Sequence, residues 1–335
     1  MPKLRRVTLT DVARRAGVSV TTASYILNGR AEQMRISTET DSKVRAAMRE
    51  LHYQPNWSAR TLRRTSTQTI GLVSDFIAGG AFSSELLTGA GAAARHHDHL
   101  LVIGESQGDE EIERLLVDEL LSRQVDGIVY ATRTAREVRL PERLRDVRTV
   151  LLNCVDPRLD LPAVLPDDVR AGRVAAGLLL AARVEGPIQV VGEDPTPSAT
   201  AGPHRMAGIR EAMAAAGREL RPTVRCEWDV VPAREAMLAQ LADHEPPGGL
   251  ICLNDRVALG VYQALEQHGC VVPRDVSVVS FDGSEAASWL RPAVTSLRLP
   301  LLEMGERAVD LLLGGGRAKD ALRLPLVVQQ GGSVA

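Results

Sequence analysis

The sequence predicts a small all-α domain at the amino end, followed by an α/β body of two lobes with parallel, doubly wound sheets. Within residues 8–52, capping residues and apolar residues recur at helical spacing. From residue 69 onward, short apolar runs alternate with amphipathic stretches, which is typical of repeated strand–helix units. The body has about 270 residues, too many for one hydrophobic core, so two lobes are expected.

Charge is distributed unevenly between these two parts. Residues 1–68 contain 13 Lys or Arg and 5 Asp or Glu, which is a net charge of +8. The whole chain carries −2, so residues 69–335 carry −10. A compact basic module on an acidic body indicates a phosphate-bearing partner for the module alone. The charge by itself leaves a second interpretation open, which is a solvated basic helical surface.

The first two helices are predicted from their caps. Thr8 and Asp11 fit a capping box, and Gly17 suits the left-handed residue that ends a helix. Ser19 is the predicted cap of a second helix over residues 20–28, whose apolar side chains face inward.

A third helix, capped by Ser37, is predicted to end at residue 52. Two short helices joined by a tight turn form the helix-turn-helix arrangement, in which the second helix enters the major groove of DNA. Val20, Thr21 and Tyr25 lie on the outer face of that helix, near the end that would enter the groove. The two capped helices around Gly17 therefore favour a DNA-binding headpiece over a solvated surface.

Two segments of this region resemble the lactose-repressor (LacI/GalR) family of bacterial regulators. They are residues 7–29, VTLTDVARRAGVSVTTASYILNG, and residues 53–62, YQPNWSARTL. Shorter segments of the body resemble the same family in the same order: residues 69–73, 125–129, 254–260, 276–282 and 295–300. The resemblance implies a periplasmic-binding-protein-like body with a hinge between its lobes. It also implies a homodimer that binds double-stranded operator DNA with an affinity set by a small effector, often a sugar or a nucleobase.

The resemblance further implies which residues of the headpiece contact DNA. The set around the second helix is Ser19, Val20, Thr21, Thr22, Ser24, Tyr25 and Asn28. The family usually has Arg at the position of Tyr25, and an Arg can bond a guanine in two places, whereas a Tyr hydroxyl offers one bond. The operator is therefore expected to differ at that base pair. The connection to the third helix is a few residues longer than usual. It carries Arg30 and Arg35, and a simple loop insertion is favoured there over new base contacts.

Residues 55–64 form a short basic segment that the resemblance identifies as a hinge helix. Ala59 and Leu62 lie three positions apart, on one side of such a helix, and both are expected to contact DNA. Leu62 takes the place of a leucine that wedges between base steps in the minor groove. The alternative is a linker whose Leu62 packs against the body. We expect a headpiece over residues 1–54, a hinge over 55–68 and a body over 69–335.

Seven apolar runs of the body are predicted to be buried parallel strands. They are residues 70–74, 100–104, 127–130, 150–153, 188–192, 250–253 and 276–281. Helices are predicted at residues 83–96, 110–123, 170–183, 205–216, 233–243 and 256–268. The first lobe is expected to combine residues 69–163 with 292–320, and the second to combine 164–291 with 321–335.

Residues near the ends of these strands are candidate effector ligands, because ligands of doubly wound sheets bind at the carboxyl ends of the strands. The resemblance implies Asp75, Phe82, Asp167, Arg205, Asn254 and Asp282, with Arg205 at the start of a helix. Helix capping is the alternative role for Asp167 and for Asp255. Trp289 is a candidate stacking residue, because a flat ring suits the C–H face of a sugar. A sugar effector is therefore favoured over a purine or another metabolite.

Other chemistry has little support in the sequence. The four cysteines are scattered without a CxxC spacing and are expected to be reduced. His96, His97 and His99 are expected to complement the carboxyl end of a helix rather than to bind metal. No nucleotide-binding or hydrolase motif, signal segment or membrane span is found, so we expect no catalytic residue, no metal and no cofactor. We expect a cytoplasmic repressor, and a sugar-processing enzyme with a fused DNA-binding anchor is the alternative.

Overall fold

The computed structural model of the chain describes residues 7–53, 66–75, 81–192, 198–315 and 321–335. The chain divides into two units, residues 1–67 and residues 68–335. Ala59 and Leu62, on the segment expected to form the hinge helix, lie outside the described residues.

The described residues of the first unit form three helices, and each begins at the cap that the sequence predicts. They are α1 (Leu9–Ala16), α2 (Val20–Leu27) and α3 (Thr38–Glu50). The Asp11 amide donates to Thr8 Oγ1 at 3.3 Å, while the Thr8 amide donates to the Asp11 carboxylate at 3.0 Å. Gly17 ends α1 with a left-handed backbone (φ 70°), which residues with a side chain rarely adopt. The Thr22 amide donates to the Ser19 hydroxyl at 3.0 Å and so caps α2.

One small apolar core holds these three helices together. Its fully buried members are Val12, Ala13, Ala23, Ile26, Val44 and Ala47. On α2 the buried residues Ala23 and Ile26 lie three positions apart, so Val20 and Thr21 remain on an exposed face. A unit of this size buries a limited apolar area, so its helix caps matter for stability.

The second unit contains two sheets, one in each lobe. The first sheet has the strand order β10-β5-β4-β3-β1-β2 and is parallel throughout. Its strands are β1 (Thr69–Ser74), β2 (Leu100–Glu105), β3 (Ile128–Glu137), β4 (Thr149–Val155), β5 (Ala163–Pro166) and β10 (Leu322–Leu324). The second sheet has the order β11-β9-β8-β7-β6, and only the β9–β11 pair is antiparallel. Its strands are β6 (Ile188–Val191), β7 (Gly249–Cys252), β8 (Ser277–Asp282), β9 (Thr295–Arg298) and β11 (Val327–Gln329).

Helices cover both faces of each sheet. They are α4 (Ala81–His96), α5 (Glu110–Ser122), α6 (Asp168–Ala181), α7 (Ala201–Ala215), α8 (Val230–Asp243), α9 (Asp255–His268), α10 (Glu285–Trp289) and α11 (Leu301–Leu313). In the first lobe, α4 and α11 cover one face and α5 covers the other. In the second lobe, α6 and α7 lie on one face, with α8 and α9 on the opposite face. The predicted doubly wound architecture is confirmed.

The lobe boundaries differ from those expected from the sequence. Residues 163–166 and 322–324 form strands of the first sheet, although residues 164 onward and 321 onward were assigned to the second lobe. Residues 295–298 form a strand of the second sheet, although 292–320 were assigned to the first. The chain therefore crosses between lobes three times, after β5, β9 and β10. These strands are three or four residues long, and such short runs carry no pattern that says which sheet edge they join.

Pairs of glycines bring the backbones of neighbouring helices into contact. A Cβ added to Gly172 on α6 would lie 2.0 Å from the carbonyl oxygen of Arg205 on α7. A Cβ added to Gly208 on α7 would lie 1.9 Å from a carbonyl oxygen of α6. Gly89 and Gly305 join α4 to α11 in the same reciprocal way. Each lobe therefore contains a helix pair whose spacing excludes any side chain at the crossing.

Gly172→Ala is expected to lower the free energy of unfolding by about 2–3 kcal/mol, because the new methyl group overlaps backbone atoms. Gly177 on the same helix is the matched control, since nothing lies within 4 Å of a Cβ added there. Gly177→Ala is expected to be neutral or stabilising by up to about 1 kcal/mol, since Ala favours a helix over Gly. Denaturant unfolding followed by circular dichroism measures both variants. Equal effects of the two substitutions would contradict the close-packing argument.

Candidate effector and DNA-binding sites

Helix α2 presents an exposed face that carries two of the predicted base-contacting residues. Val20 is 44% exposed and Thr21 is also exposed, whereas Tyr25 is half-buried. Asn28 follows the last turn, and its side-chain amide donates to the Ser24 carbonyl oxygen at 2.8 Å. Hydroxyl, amide and small apolar groups on one helix face are the kinds of group that contact base edges and phosphates.

Arg205 is the centre of a buried charged cluster in the second lobe. Its side chain is 3% exposed, and Nε donates to Asp168 Oδ1 at 2.8 Å. Nη2 lies 3.6 Å from Asp282 Oδ1, and Nη1 donates to the carbonyl oxygen of Leu253. Arg205 does not open its helix as expected, because α7 begins at Ala201, one turn earlier. The cluster joins the starts of α6 and α7 to the ends of two neighbouring strands.

Two aromatic rings flank the guanidinium group of Arg205. Its central carbon lies 4.6 Å from the Phe281 ring centroid and 5.5 Å from the Trp228 ring centroid. Both distances are within the range of cation–π contacts, which strengthen when the cation is desolvated. Phe281 is fully buried. Neither Trp228 nor Asp168 is predicted as a site residue from the sequence. Trp228 lies in an irregular segment with no helical or alternating pattern, and Asp168 follows the aspartate that matched the family.

Asp282 combines an unusual backbone conformation with an unusual environment. It ends β8 with φ at 100°, a region that non-glycine residues seldom occupy. Burial raises the pKa of the Asp282 carboxyl to about 7, with Arg205 opposing the shift and the carboxylates of Asp255 and Asp168 adding to it. The raised pKa makes the protonated form of Asp282 available closer to neutral pH than that of an exposed aspartate, and this form can donate as well as accept hydrogen bonds.

Asp255 lies beside this cluster and has a different set of partners. Its carboxylate accepts hydrogen bonds from Ser280, from Ser296 at 2.7 Å, and from the amide of Ser284 at 2.6 Å. Burial raises its pKa, and these hydrogen bonds oppose the shift. Asp255 is the first residue of α9 and does not cap it. The interpretation of Asp255 as a helix cap is therefore wrong.

Two other predicted ligands act as helix caps in the structure. Asn254 Oδ1 accepts a hydrogen bond from the Val257 amide at 2.7 Å and so caps the start of α9. Asp167 Oδ1 accepts from the Arg170 amide at 3.1 Å and begins α6, which is the alternative role considered for it. Asn254 Nδ2 also donates to the Trp228 carbonyl oxygen at 3.4 Å. The cap of α9 therefore also contacts the residue that supplies one of the rings beside Arg205.

A cavity of about 470 Å³ is lined by residues of both lobes. Asp282 lines it from the second lobe and Ser84 from the first, with Leu299 and Leu301 on the crossover between them. An ion pair between Glu85 of α4 and Arg298 of β9 forms another part of its wall. The other lining residues are Gly283, Ser284, Glu285, Ser288 and Gln329. This volume and the mixture of polar and apolar groups suit a small ligand.

Of the predicted effector residues, Asp282 lines this cavity, whereas Asp75, Asp167, Arg205, Asn254 and Trp289 do not. Asp75 Oδ1 accepts from the Arg133 amide at 2.9 Å, and Oδ2 accepts from Arg136 Nη2 at 3.1 Å. Phe82 belongs to α4, and its side chain lies outside the described part of the structure. Trp289, at the end of α10, is 66% exposed, so its choice as the stacking ring is a poor fit to the structure. The indole next to the buried cluster is that of Trp228 instead.

Strand β3 extends from the first lobe to the second. Its pairing with β4 shifts register between Ala131 and Arg136 and then resumes, so that Glu137 pairs with Val155 at the ends of the two strands. The Glu137 amide donates to the Ser198 carbonyl oxygen, and the Thr200 amide donates to the Ala135 carbonyl oxygen, both at 2.9 Å. The chain at 198–200 leads directly into α7, which carries Arg205. Main-chain hydrogen bonds therefore connect the first lobe to the helix that bears the buried cluster.

Comparisons with known proteins cover both units. A model described as bacterial regulatory proteins, lacI family, matches residues 8–56, and one described as a periplasmic binding protein-like domain matches residues 186–333. The ribose operon repressor of Escherichia coli (strain K12) is 31% identical over 316 residues, which cover 91% of this chain and 92% of that protein. This chain belongs to the lacI family of bacterial regulatory proteins.

Other relatives extend the comparison. The HTH-type transcriptional repressor PurR of Klebsiella pneumoniae (strain 342) is 28% identical, over 91% of this chain and 89% of that protein. The crystal structure of the lac repressor dimer bound to operator and the anti-inducer ONPF has a TM-score of 0.82 and 24% identity. That match covers 98% of this chain and 99% of the repressor chain, so the fold is shared throughout.

As a member of the lacI family, the chain is a DNA-binding transcriptional regulator, and these relatives are regulators rather than enzymes. Among the described residues, no group of three or more His, Cys, Asp or Glu side chains could hold a metal ion. No helix in the described ranges combines the length and apolar character needed to cross a membrane. The histidines after α4 bind carboxylates, since His97 contacts Asp310 at 3.0 Å and His99 contacts Asp126 at 3.1 Å.

The stability of this lacI-family protein is expected to depend on pH through Asp282. The folded protein holds the Asp282 proton up to about pH 7, whereas the ordinary carboxyl pKa is 3.8. Protons bound only by the folded state stabilise it at low pH, and this contribution falls as pH rises from about 4 through 7. Asp282→Asn removes the titration while keeping a residue type that tolerates positive φ.

The measurement is the free energy of unfolding of both proteins from pH 4 to 8. We expect the wild type to lose stability relative to Asp282→Asn across the interval from pH 3.8 to about 7. Parallel pH profiles for the two proteins would show that the Asp282 carboxyl group titrates at an ordinary pH.

Proposed function

We propose that this regulator is a repressor that binds its operator as a dimer, and that a small sugar bound between the lobes controls its operator affinity. One observation carries the proposal: a single chain combines an exposed, capped helix α2 with a polar cavity lined by residues from both lobes. A ligand in such a cavity can change the relative position of the lobes only if it binds one arrangement more tightly than the other.

The chemistry of the cavity supports a sugar as the effector. Asp282 can act as donor and acceptor near neutral pH, and Ser84, Ser284 and Ser288 add hydroxyl groups. Such groups match the alternating donors and acceptors of a polyol, while Leu299 and Leu301 offer an apolar wall. The name of the ribose operon repressor supports the same class. A purine or another metabolite is the second candidate.

Exposed apolar side chains support a dimer. In the first lobe they lie on β2, which is an edge strand, and on the adjacent helix α5. These residues are Leu100, Ile103, Ile112 and Leu115, and each is more than 40% exposed. In the second lobe Val231 and Trp289 are similarly exposed. Grouped apolar residues on a surface mark interaction sites, and the lac repressor of the matched structure is itself a dimer.

The alternative of a sugar-processing enzyme has less support in the cavity. Asp282, the buried carboxylate that lines the cavity, lies against Arg205. Asp168 and Asp255 nearby are held by Arg205 or by serine hydroxyls, and within the described residues none of the three contacts a histidine. Catalysis by a carboxylate requires that it reach the reacting atom, with a partner that changes its proton affinity. We therefore propose ligand binding without turnover.

The proposal is tested in two steps. Purified full-length protein is first used to select duplexes from a random-sequence pool, and the enriched sequence is measured against the unselected pool. A panel of pentoses, hexoses, disaccharides and nucleosides is then screened for thermal stabilisation. A ligand at 100 times its dissociation constant stabilises the folded protein by about 2.7 kcal/mol. Failure to enrich any sequence would refute operator binding, and a nucleoside as the only hit would replace the sugar.

Tyr25→Ala is expected to weaken binding to the selected operator by about 0.5–1.5 kcal/mol, or roughly 2- to 13-fold, since the hydroxyl offers one hydrogen bond. The side chain is proposed to contact a base edge, so binding to an unrelated duplex should change little. Fluorescence anisotropy with both duplexes measures the effect, and Tyr25→Phe is the matched variant that keeps the ring. An equal loss of affinity on both duplexes would assign Tyr25 to phosphate contact or to folding of the headpiece.

A further inference from the structure

The connection between α2 and α3 is an ordered turn rather than a loose loop. The Arg30 amide donates to the Tyr25 carbonyl oxygen at 2.9 Å, which joins the turn to the end of α2. Within the turn, the Met34 amide donates to the Arg30 carbonyl oxygen at 3.0 Å, and the Ile36 amide donates to that of Ala31 at 2.9 Å. These hydrogen bonds fix the backbone at both ends of the turn.

Apolar contacts and backbone conformation anchor the same turn. Ala31 and Ile36 pack against the core of the headpiece. Arg35 adopts a left-handed backbone (φ 52°), which costs about 1 kcal/mol or more for a residue with a side chain. A loop under no constraint would relax to a lower-energy conformation, so the packing of Ile36 and Ala31 holds Arg35 in this position.

The turn carries cations without an acidic partner. Most basic residues of α1 and α3 are already paired, and the pairs are Arg14–Asp11, Arg15–Glu50, Lys43–Glu39 and Arg45–Asp41. Arg30 and Arg35 are exposed and make no ion pair with any described residue, including Glu32 of the same turn. Arg49 on α3 is a third such cation. Among the described residues of the headpiece, two of the three cations without an acidic partner therefore lie in the turn.

The position of the turn places these arginines near the DNA backbone when α2 is in the major groove. It begins immediately after Asn28, at the carboxyl end of the helix proposed to enter the major groove. A helix in this groove has its ends near the sugar–phosphate backbone, and most protein–DNA hydrogen bonds go to that backbone. Guanidinium groups bind phosphate oxygens through two parallel N–H bonds.

We propose that Arg30 and Arg35 bind backbone phosphates beside the operator half-site and so widen the DNA footprint of the headpiece. This inference rests on the proposed DNA binding by α2. It adds phosphate contacts and no base contacts, so the arginines contribute to affinity for every duplex. The fixed turn presents both guanidinium groups with little loss of backbone freedom on binding.

The test measures how DNA affinity of the full-length protein depends on salt. The probe is a mixed-sequence duplex of about 30 base pairs, since phosphate contacts do not depend on sequence. Each phosphate contact contributes about 0.9 to the slope of log affinity against log salt concentration. The double variant Arg30→Ala with Arg35→Ala is expected to reduce the slope by about 1.8 for each engaged headpiece.

Two matched double variants serve as controls. Arg30→Lys with Arg35→Lys keeps both charges and is expected to keep most of the slope. Lys43→Ala with Arg45→Ala removes two exposed cations that are already paired with Glu39 and Asp41, and it is expected to change the slope far less. Circular dichroism confirms that each headpiece remains helical.

The outcomes separate this inference from the proposed function. An unchanged slope in the Arg30→Ala, Arg35→Ala protein, with normal selection of operator, would overturn the phosphate contacts alone. An equal reduction of the slope in the Lys43→Ala, Arg45→Ala protein would show that only the net charge matters. That result would also overturn the phosphate contacts of Arg30 and Arg35. A wild-type protein that enriches no sequence would instead refute the proposed operator binding.

Discussion

The burial of the Arg205 guanidinium group constrains how the helices and strands of the second lobe meet. An ion removed from water costs several kcal/mol unless charges and hydrogen-bond acceptors replace the lost hydration. For Arg205 the replacements come from Asp168 at the start of α6, from the end of β8 at Asp282, and from the Leu253 carbonyl group after β7. Because these groups belong to different elements, the starts of helices and the ends of strands must meet at one point.

Much of the fold could be predicted because its signals are local. A capping box, a glycine with positive φ and a serine cap each act within four residues, so the headpiece helices begin where the sequence places them. The buried strands of the body are also predicted by a local signal, since a strand covered on both faces is a continuous apolar run. The assignment of β5, β9 and β10 to sheets depends instead on pairing between distant segments, and no local pattern encodes that pairing.

The candidate site was predicted in part. Arg205 and Asp282 were inferred from resemblance, and the structure places them together at strand and helix ends. Trp228 escaped notice because an indole in an irregular segment has no periodic neighbours that indicate burial. Trp289 was chosen for its position beside a cleft loop, but the direction of a side chain on a short helix depends on tertiary packing. A positive φ at Asp282 likewise has no sequence signal, since aspartate is common in every loop.

The hydrogen bonds between β3 and the segment before α7 use only backbone atoms of Ala135, Glu137, Ser198 and Thr200. Backbone donors and acceptors survive almost every amino-acid replacement, with proline at a donor position as the exception. The side chains of these four residues can therefore vary while the main-chain hydrogen bonds between the two lobes are retained. The side chains that line the cavity, and with them the ligand preference, can therefore change without disturbing this main-chain connection between the lobes.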